Sequence, residues 1–233
     1  CNHNAFLDFK VTTAAVFPHR ANYVVAIDGF TAPTKKGFAS REWLLRTVGC
    51  ICKRKFTNDA ILVRQLGRVA KSGDIAVLYP EARYSLCGTN AVLPESLGKL
   101  CKLLKVPVVS LIMHGHHVNS PVWNLTERGV RPVEADMTCL FTADALAKAS
   151  AEEVNRAINA AFAYDDFAWQ RERGIRIAYP RRAEGLHKVL YQCPSCKAEH
   201  RMDSRGAELF CAACGKRWEM DELGRLRAAA GET

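Results

Sequence analysis

Short apolar runs alternate with stretches of helical spacing along most of the chain. Asn22 to Ile27 reads NYVVAI, too short for a helix and rich in β-branched residues, so it predicts a buried strand. Ile75 to Tyr79, Val106 to Met113 and Val133 to Phe141 predict three more. Residues 4–17 predict a short helix after a loop, and Arg41 to Val48 a helix with Trp43, Leu44 and Val48 on one face. Asn58 or Asp59 caps a helix running to about Lys71, with Gly73 at its end. Ser150 and Glu153 form a capping box ahead of a helix carrying Val154, Ile158, Ala161 and Phe162. The alternation predicts an α/β fold with a central, mostly parallel sheet flanked by helices. Beyond Arg173 the texture changes. Pro180, Arg181 and Arg182 read as a basic linker, and from Tyr191 the segments are short, polar and cysteine-bearing. Residues 1–180 are therefore expected to form the main domain and 188–225 a second, small module.

Composition narrows this picture. The 233 residues suffice for one ordinary domain and an appendage, and a hydrophobic content of 48% excludes wholesale disorder. The formal net charge of +9 suits anionic lipid headgroups, phosphorylated substrates or nucleic acid, and charge alone does not choose among them. No apolar run reaches the ~18–20 residues of a membrane-spanning helix. The chain opens on Cys1 rather than Met, so a preceding segment, able to carry a membrane anchor, is expected. Cys1, Cys50, Cys52, Cys87, Cys101 and Cys139 are scattered through apolar or helical context, which points to free thiols in a reducing compartment.

Three segments carry candidate chemistry. His3 and Asp8 stand five positions apart. On one straight helix that step turns about 500°, which separates the two side chains by about 140°. They meet more readily if His3 lies in a loop and Asp8 in the first helical turn. The carboxylate then fixes the imidazole tautomer and stabilises the imidazolium formed when the base takes a proton. Tyr79-Pro80-Glu81-Ala82-Arg83-Tyr84-Ser85 follows a buried strand, where α/β folds place functional loops. Glu81 and Arg83 there suit a polyol hydroxyl and a phosphate, or else form an ordinary surface ion pair. Gly49-Cys50-Ile51-Cys52 leads into Lys53, Arg54 and Lys55, a phosphate site or a solvated basic patch.

Together these segments resemble the glycerolipid acyltransferase family, typified by lysophosphatidic acid acyltransferases. The family's N-H-x-x-x-x-D block is met by Asn2, His3 and Asp8. Its Gly-x-Ile-Phe-like block is met loosely by Gly49, Ile51 and Arg54 or Lys55. Its F-P-E-G-T-R-S block is met by Tyr79 to Ser85, with Ala82 in place of the glycine, the arginine one place early at Arg83, and Tyr84 in its slot. Its V-P-[VI]-[VI]-P strand is met by Val106 to Ser110, with Ser110 in place of proline. The blocks span residues 1–115, and the α/β likeness extends to about residue 175.

The resemblance implies His3 as general base on the acceptor hydroxyl and Asp8 as its orienting partner. It implies direct attack on an acyl-CoA or acyl-carrier-protein thioester, with no acyl-enzyme. Asn2, Lys53, Arg54, Lys55, Glu81, Arg83 and Ser85 are the implied acceptor-binding residues. It further implies lysophosphatidic acid or a similar lysophospholipid as acceptor, with glycerol-3-phosphate as the alternative. The implied setting is cytoplasmic, peripheral on the inner face of the membrane, in contact with anionic phospholipids.

Near the C-terminus, Cys193-x-x-Cys196 and Cys211-x-x-Cys214 are separated by fourteen residues. Each pair turns two thiolates onto one ion, and together they predict a tetrahedral four-thiolate structural Zn2+ site, a zinc ribbon. Four protein ligands leave no open position for catalysis. Lys197, Arg201, Arg205, Lys216 and Arg217 suit nucleic acid, anionic lipid, a carrier protein or another subunit. A nucleic-acid-binding zinc-ribbon protein is the competing reading. It accounts for ribbon and charge but leaves the His3 and Glu81 blocks as accidents, so nucleic acid is not the expected partner. His114-Gly115-His116-His117 reads as a satisfied or solvated loop cluster at a strand end rather than a metal site.

Overall fold

The computed structural model describes residues 1–6, 8–31, 41–54, 57, 59–130 and 134–228. The element order is α1 (Asp8–Val16), β1 (Ala21–Ala26), α2 (Ile27–Thr31), α3 (Arg41–Thr47), β2 (Ile51–Lys53), α4 (Ala60–Ser72) and β3 (Ile75–Val77). There follow α5 (Ser96–Leu104), β4 (Val108–His114), α6 (His116–Asn119), β5 (Glu134–Phe141), α7 (Ala143–Lys148), α8 (Ala151–Ala161) and α9 (Asp166–Glu172). A 3-10 turn at Leu186–Lys188 leads into β6 (Met202–Arg205), β7 (Glu208–Cys211), β8 (Arg217–Met220) and β9 (Leu226–Ala228).

Local signals set the helix ends. Asp59 accepts the Leu62 N–H at the start of α4, and Gly73 closes it in the left-handed region at φ 77°. Asn58, the other candidate cap, lies outside the described residues. Both halves of the Ser150–Glu153 capping box form, and α8 buries Val154 and Ile158. Each such side chain contributes about 1.5–3 kcal/mol on burial. They pack with Leu93, Ile112, Leu146, Phe162 and Tyr164 in one core cluster. On α3, by contrast, Trp43 and Leu44 are exposed, as is Val48 just beyond it.

The fold is mixed α/β, but the parallel sheet is shorter than expected. Among the described residues it has three strands, ordered β2-β1-β3, both pairings parallel. β4, expected to extend it, instead pairs antiparallel with β5. Residues 1–3 lie between the two sheets and explain the separation. The Cys1 nitrogen donates to the Leu78 carbonyl, while the Asn2 side-chain amide makes paired bonds with the Met113 backbone. The N-terminal segment is thus pinned between the end of β3 and the end of β4.

The C-terminal module is an antiparallel meander, β6-β7-β8-β9. The stretch read as a linker packs onto it. Ala183 and Leu186 are buried with Trp123, Cys193, Met202, Leu209, Cys211 and Met220 in one cluster. Arg182 Nε donates to the Met220 carbonyl and the Ile177 N–H to the Glu222 carbonyl. Composition suggested a tether because Arg181 and Arg182 dominate this stretch, but Ala183 and Leu186 just after them do the packing.

Candidate active site

The site begins where β3 ends. The loop after it turns through Ala82, at φ 56° in the left-handed region that disfavours a Cβ. Ala82 stands where the resemblance expects glycine, so the loop keeps that backbone shape despite the side chain. Behind this turn Glu81 is buried. Its Oε2 accepts the His3 N–H at 2.8 Å and its Oε1 the Ala91 N–H at 2.8 Å. The Tyr164 hydroxyl reaches the same carboxylate at 3.2 Å and Asn4 Oδ1 at 2.7 Å. Ser85 is also buried; its N–H donates to the His3 carbonyl and its Oγ to the Thr89 carbonyl.

His3 is therefore held by its backbone from both sides, and its ring is held by aromatic neighbours. Tyr79 stacks on it with centroids 4.3 Å apart, and Tyr84 covers it at 4.2 Å, tilted by 42°. Tyr84, the residue occupying the family's arginine slot, is thus a wall of the imidazole pocket. Asp8 opens α1 and is fully buried. His3 Nδ1 lies 3.2 Å from Asp8 Oδ2, which also accepts the Asn4 and Ala5 amides at 2.6 and 2.9 Å. The loop-then-first-turn arrangement expected for this pair is the one observed.

A second imidazole reaches the same carboxylate: His116 Nδ1 lies 2.8 Å from Asp8 Oδ1. Burial alone would raise the Asp8 pKa, but hydrogen bonds from His116, His3 and the Ala5 amide outweigh it and leave Asp8 below the ordinary carboxylate value. Asp166 sits behind His116 and accepts the Gly115 and His117 amides at 3.2 and 2.8 Å. Burial pushes it up to about 7, against those two hydrogen bonds.

The three histidines of the 114–117 run diverge. His114 Nε2 pairs with Asp136 at 3.3 Å and its ring stacks on Trp169. His116 turns to Asp8. His117 is buried against Trp123 and Phe167, where burial and then nearby Arg128 lower it to about 4. They share no metal site, since among the described residues the four ribbon cysteines are the group able to hold an ion. No signal in the sequence marks Tyr164 or Asp166, whose partners lie far away along the chain: Asn4, 160 and 162 positions off, Glu81 for Tyr164, and the 115–117 turn for Asp166.

The other expected acceptor-binding residues are scattered. Arg83 is exposed, with no hydrogen bond or ion pair among the described residues. Lys53 and Arg54 lie at the C-terminal end of β2, and the Arg54 amide donates to Asp59. Because the sheet is parallel, they share its C-terminal edge with the Glu81–Ser85 loop. Lys55 lies outside the described residues. Asn2 is fully buried with its amide committed to Met113.

Two apolar surfaces adjoin this centre. A groove of about 470 Å³ runs between β4, β5 and α8, past Ser110, Ile112, His114 and the Tyr164 ring. A shallower one of about 540 Å³ follows α1 along Phe9, Lys10, Thr13, Ala14 and Phe17. Phe6, Phe9 and Phe17 are all exposed. No helix among the described residues is long and apolar enough to cross a membrane.

The ribbon cysteines fit a zinc ion. Their four Sγ atoms lie within 4.8 Å of one another, with Cys193–Cys214 at 3.8 Å and Cys196–Cys211 at 3.7 Å. Tetrahedral Zn–S bonds of about 2.3 Å give edges of about 3.8 Å. The two knuckles repeat one geometry. Lys197 and Gly215, each four residues past its first cysteine, adopt φ 62° and 79° and donate back to the carbonyls of Cys193 and Cys211.

No family model matches the sequence, and no curated protein matches it. Among solved structures, the chain is similar to the 1-acyl-sn-glycerophosphate (LPA) acyltransferase PlsC from Thermotoga maritima. The TM-score is 0.52 at 15% identity, covering 69% of this chain and 61% of that one. The chain spans about three fifths of that enzyme's length, and at this identity the likeness is one of fold.

Proposed function

We propose that this chain is an O-acyltransferase that moves a fatty acyl group from a thioester to the hydroxyl of lysophosphatidic acid or a similar lysophospholipid. The observation that carries this reading is the His3–Asp8 contact, 3.2 Å, in a fold similar to that of an LPA acyltransferase. Ionised Asp8 only accepts hydrogen bonds, so His3 carries its proton on Nδ1 and presents a bare Nε2. The His3 side chain is 21% exposed, which leaves that edge reachable.

In this mechanism Nε2 takes the proton of the acceptor hydroxyl as its oxygen attacks the thioester carbonyl carbon. The tetrahedral intermediate collapses, the C–S bond breaks, and the departing thiolate takes the proton back from the imidazolium. Glu81 and Asn2 act by holding the backbone around His3, since their polar atoms are engaged within the protein. Arg83, with Lys53 and Arg54 on the same sheet edge, is the proposed site for the acceptor phosphate. Acyl-CoA or acyl-carrier protein is the proposed donor. Exposed Phe6, Phe9 and Phe17 with Lys10 suit a membrane surface bearing anionic phospholipid, in keeping with a peripheral location on the inner face.

When bound, zinc would cross-link Cys193, Cys196, Cys211 and Cys214 as a structural ion. Those residues would clamp the ribbon core onto Trp123, Ala183 and Leu186.

Incubation with acyl-CoA or acyl-carrier protein and lysophosphatidic acid in mixed micelles, read by mass spectrometry, tests the reading. Phosphatidic acid is the expected product. No acyl product from this acceptor, other lysolipids or glycerol-3-phosphate, in folded protein, would overturn it.

A further inference from the structure

Asp8 serves two imidazoles, and its oxygens are unequally supplied. Oδ2 takes three donors: the Asn4 amide at 2.6 Å, the Ala5 amide at 2.9 Å and His3 Nδ1 at 3.2 Å. Oδ1 takes a single one among the described residues, His116 Nδ1 at 2.8 Å. The two amides fix one end of the carboxylate, and His116 fixes the other. Without it, a fully buried carboxylate oxygen would lose its donor, which is costly, and the group could swing about its Cβ–Cγ bond. The longest contact, to His3, has the least to hold it against such a swing.

His116 is itself built in. β4 ends at His114, and the next residue, Gly115 at φ 82°, turns the chain into the short helix where His116 meets Asp8. Asp166 takes the amides on both sides of His116, from Gly115 and His117, while its own amide donates to the Gly88 carbonyl. A buried carboxylate is thus spent on holding one short turn. His116 is 6% exposed, and its Nε2 is buried without a hydrogen-bond partner. That nitrogen does not open to a substrate, so His116 is not a second base.

We infer that His116 is a positioning residue, which fixes the plane of the Asp8 carboxylate and through it the tautomer and orientation of His3. The inference rests on the acyltransferase reading for its kinetic consequences but not for its structural ones. Asp166 and Gly115 form the support for this second imidazole, so the unit that orients His3 extends from α1 through the 115–117 turn to α9.

The test compares the full chain with His116→Ala and His116→Asn. The Asn amide places an N–H close to where Nδ1 stood and so restores the donor. Proton NMR at neutral pH reads the structural part, because an imidazole Nδ1–H bonded to a buried carboxylate resonates far downfield. Two such signals are expected in the parent. His116→Asn should lose its own and keep that of His3, whereas His116→Ala should lose or broaden both. In the transfer assay His116→Ala should lower kcat about 10–100-fold with KM within about twofold, as expected for a misplaced catalytic group. His116→Asn should recover to within about threefold of the parent. An unchanged His3 signal in His116→Ala, or a His116→Asn as impaired as His116→Ala while folded, would overturn the inference. If the parent transfers no acyl group at all, the acyltransferase reading fails, and the NMR comparison still decides the role of His116.

Discussion

Replacing Glu81 with Gln separates two roles for that carboxylate. The resemblance implies that it binds the acceptor, whereas the geometry makes it a strut under His3. Glu81 is 7% exposed, and its two oxygens accept different backbone amides, of His3 and Ala91, each at 2.8 Å. Glutamine has one oxygen and one NH2. Whichever way the amide turns, one of those N–H groups faces another donor. Losing a charge-assisted hydrogen bond costs about 1.5–3 kcal/mol, and a stranded buried N–H about 1–3 kcal/mol. These describe overlapping parts of one event, so a destabilisation of about 3 kcal/mol is expected, a large share of a typical domain's 5–15 kcal/mol. Urea unfolding of parent and variant measures it directly. In the transfer assay kcat should fall with little change in KM, because the His3 backbone shifts. An unfolding free energy within about 0.5 kcal/mol of the parent, together with a KM raised tenfold or more, would refute the strut and favour a substrate contact.

Three further outcomes are expected. Ala82→Gly should stabilise the protein by about 1 kcal/mol, because the site already has φ 56°; a destabilised variant in thermal unfolding would contradict that reading of the turn. Asp166, raised from 3.8 to about 7, keeps its proton in the fold after the unfolded chain has released it, so the parent loses stability as pH climbs between those values. Asp166→Asn cannot ionise, so its stability relative to the parent should rise on the order of 3 kcal/mol from pH 4 to pH 7; a flat difference would contradict it. The depressed Asp8 works in the opposite sense, giving stability that is lost on acidification, but it is common to both proteins and cancels. Elemental analysis should find one zinc per chain, and a strong chelator should lower the melting temperature and change the near-ultraviolet signal of Trp123 and Trp218, which pack at the ribbon core. Equal melting temperatures with and without the chelator would argue against a structural ion.

What could be read from the sequence was local. Asp59, Gly73 and the Ser150–Glu153 box act within a few residues of themselves, so their signals survive in one dimension. The same holds for His3 and Asp8, whose contact needs only a loop and one helical turn. The four cysteines announce a cluster because each knuckle is a short-range turn. The rest depends on long-range packing. Nothing near His116 indicates that it turns to a carboxylate 108 positions away. Glu81 looked like a substrate contact because loops at strand ends usually face solvent, but here the turn at Ala82 sends it inward. The parallel sheet was overestimated because apolar runs reveal strands and not their partners; residues 1–3 lie where the next pairing was expected. The arginines at 181 and 182 hid a packed segment, because Ala183 and Leu186, just after them, carry the burial.

The most direct test of the central claim sets the parent beside His3→Ala in acyl transfer from acyl-CoA to lysophosphatidic acid, with matched unfolding curves and zinc content. The His3 side chain is 21% exposed, and the backbone bonds that anchor it, to Glu81 and Ser85, survive the substitution, so the variant should fold; the unfolding curves measure what the lost stacking on Tyr79 and Tyr84 costs. Phosphatidic acid from the parent, reduced by about 10²–10⁴-fold in the folded variant, is the result expected of a lost general base. Equal product from both proteins would remove His3 from the chemistry and contradict the account.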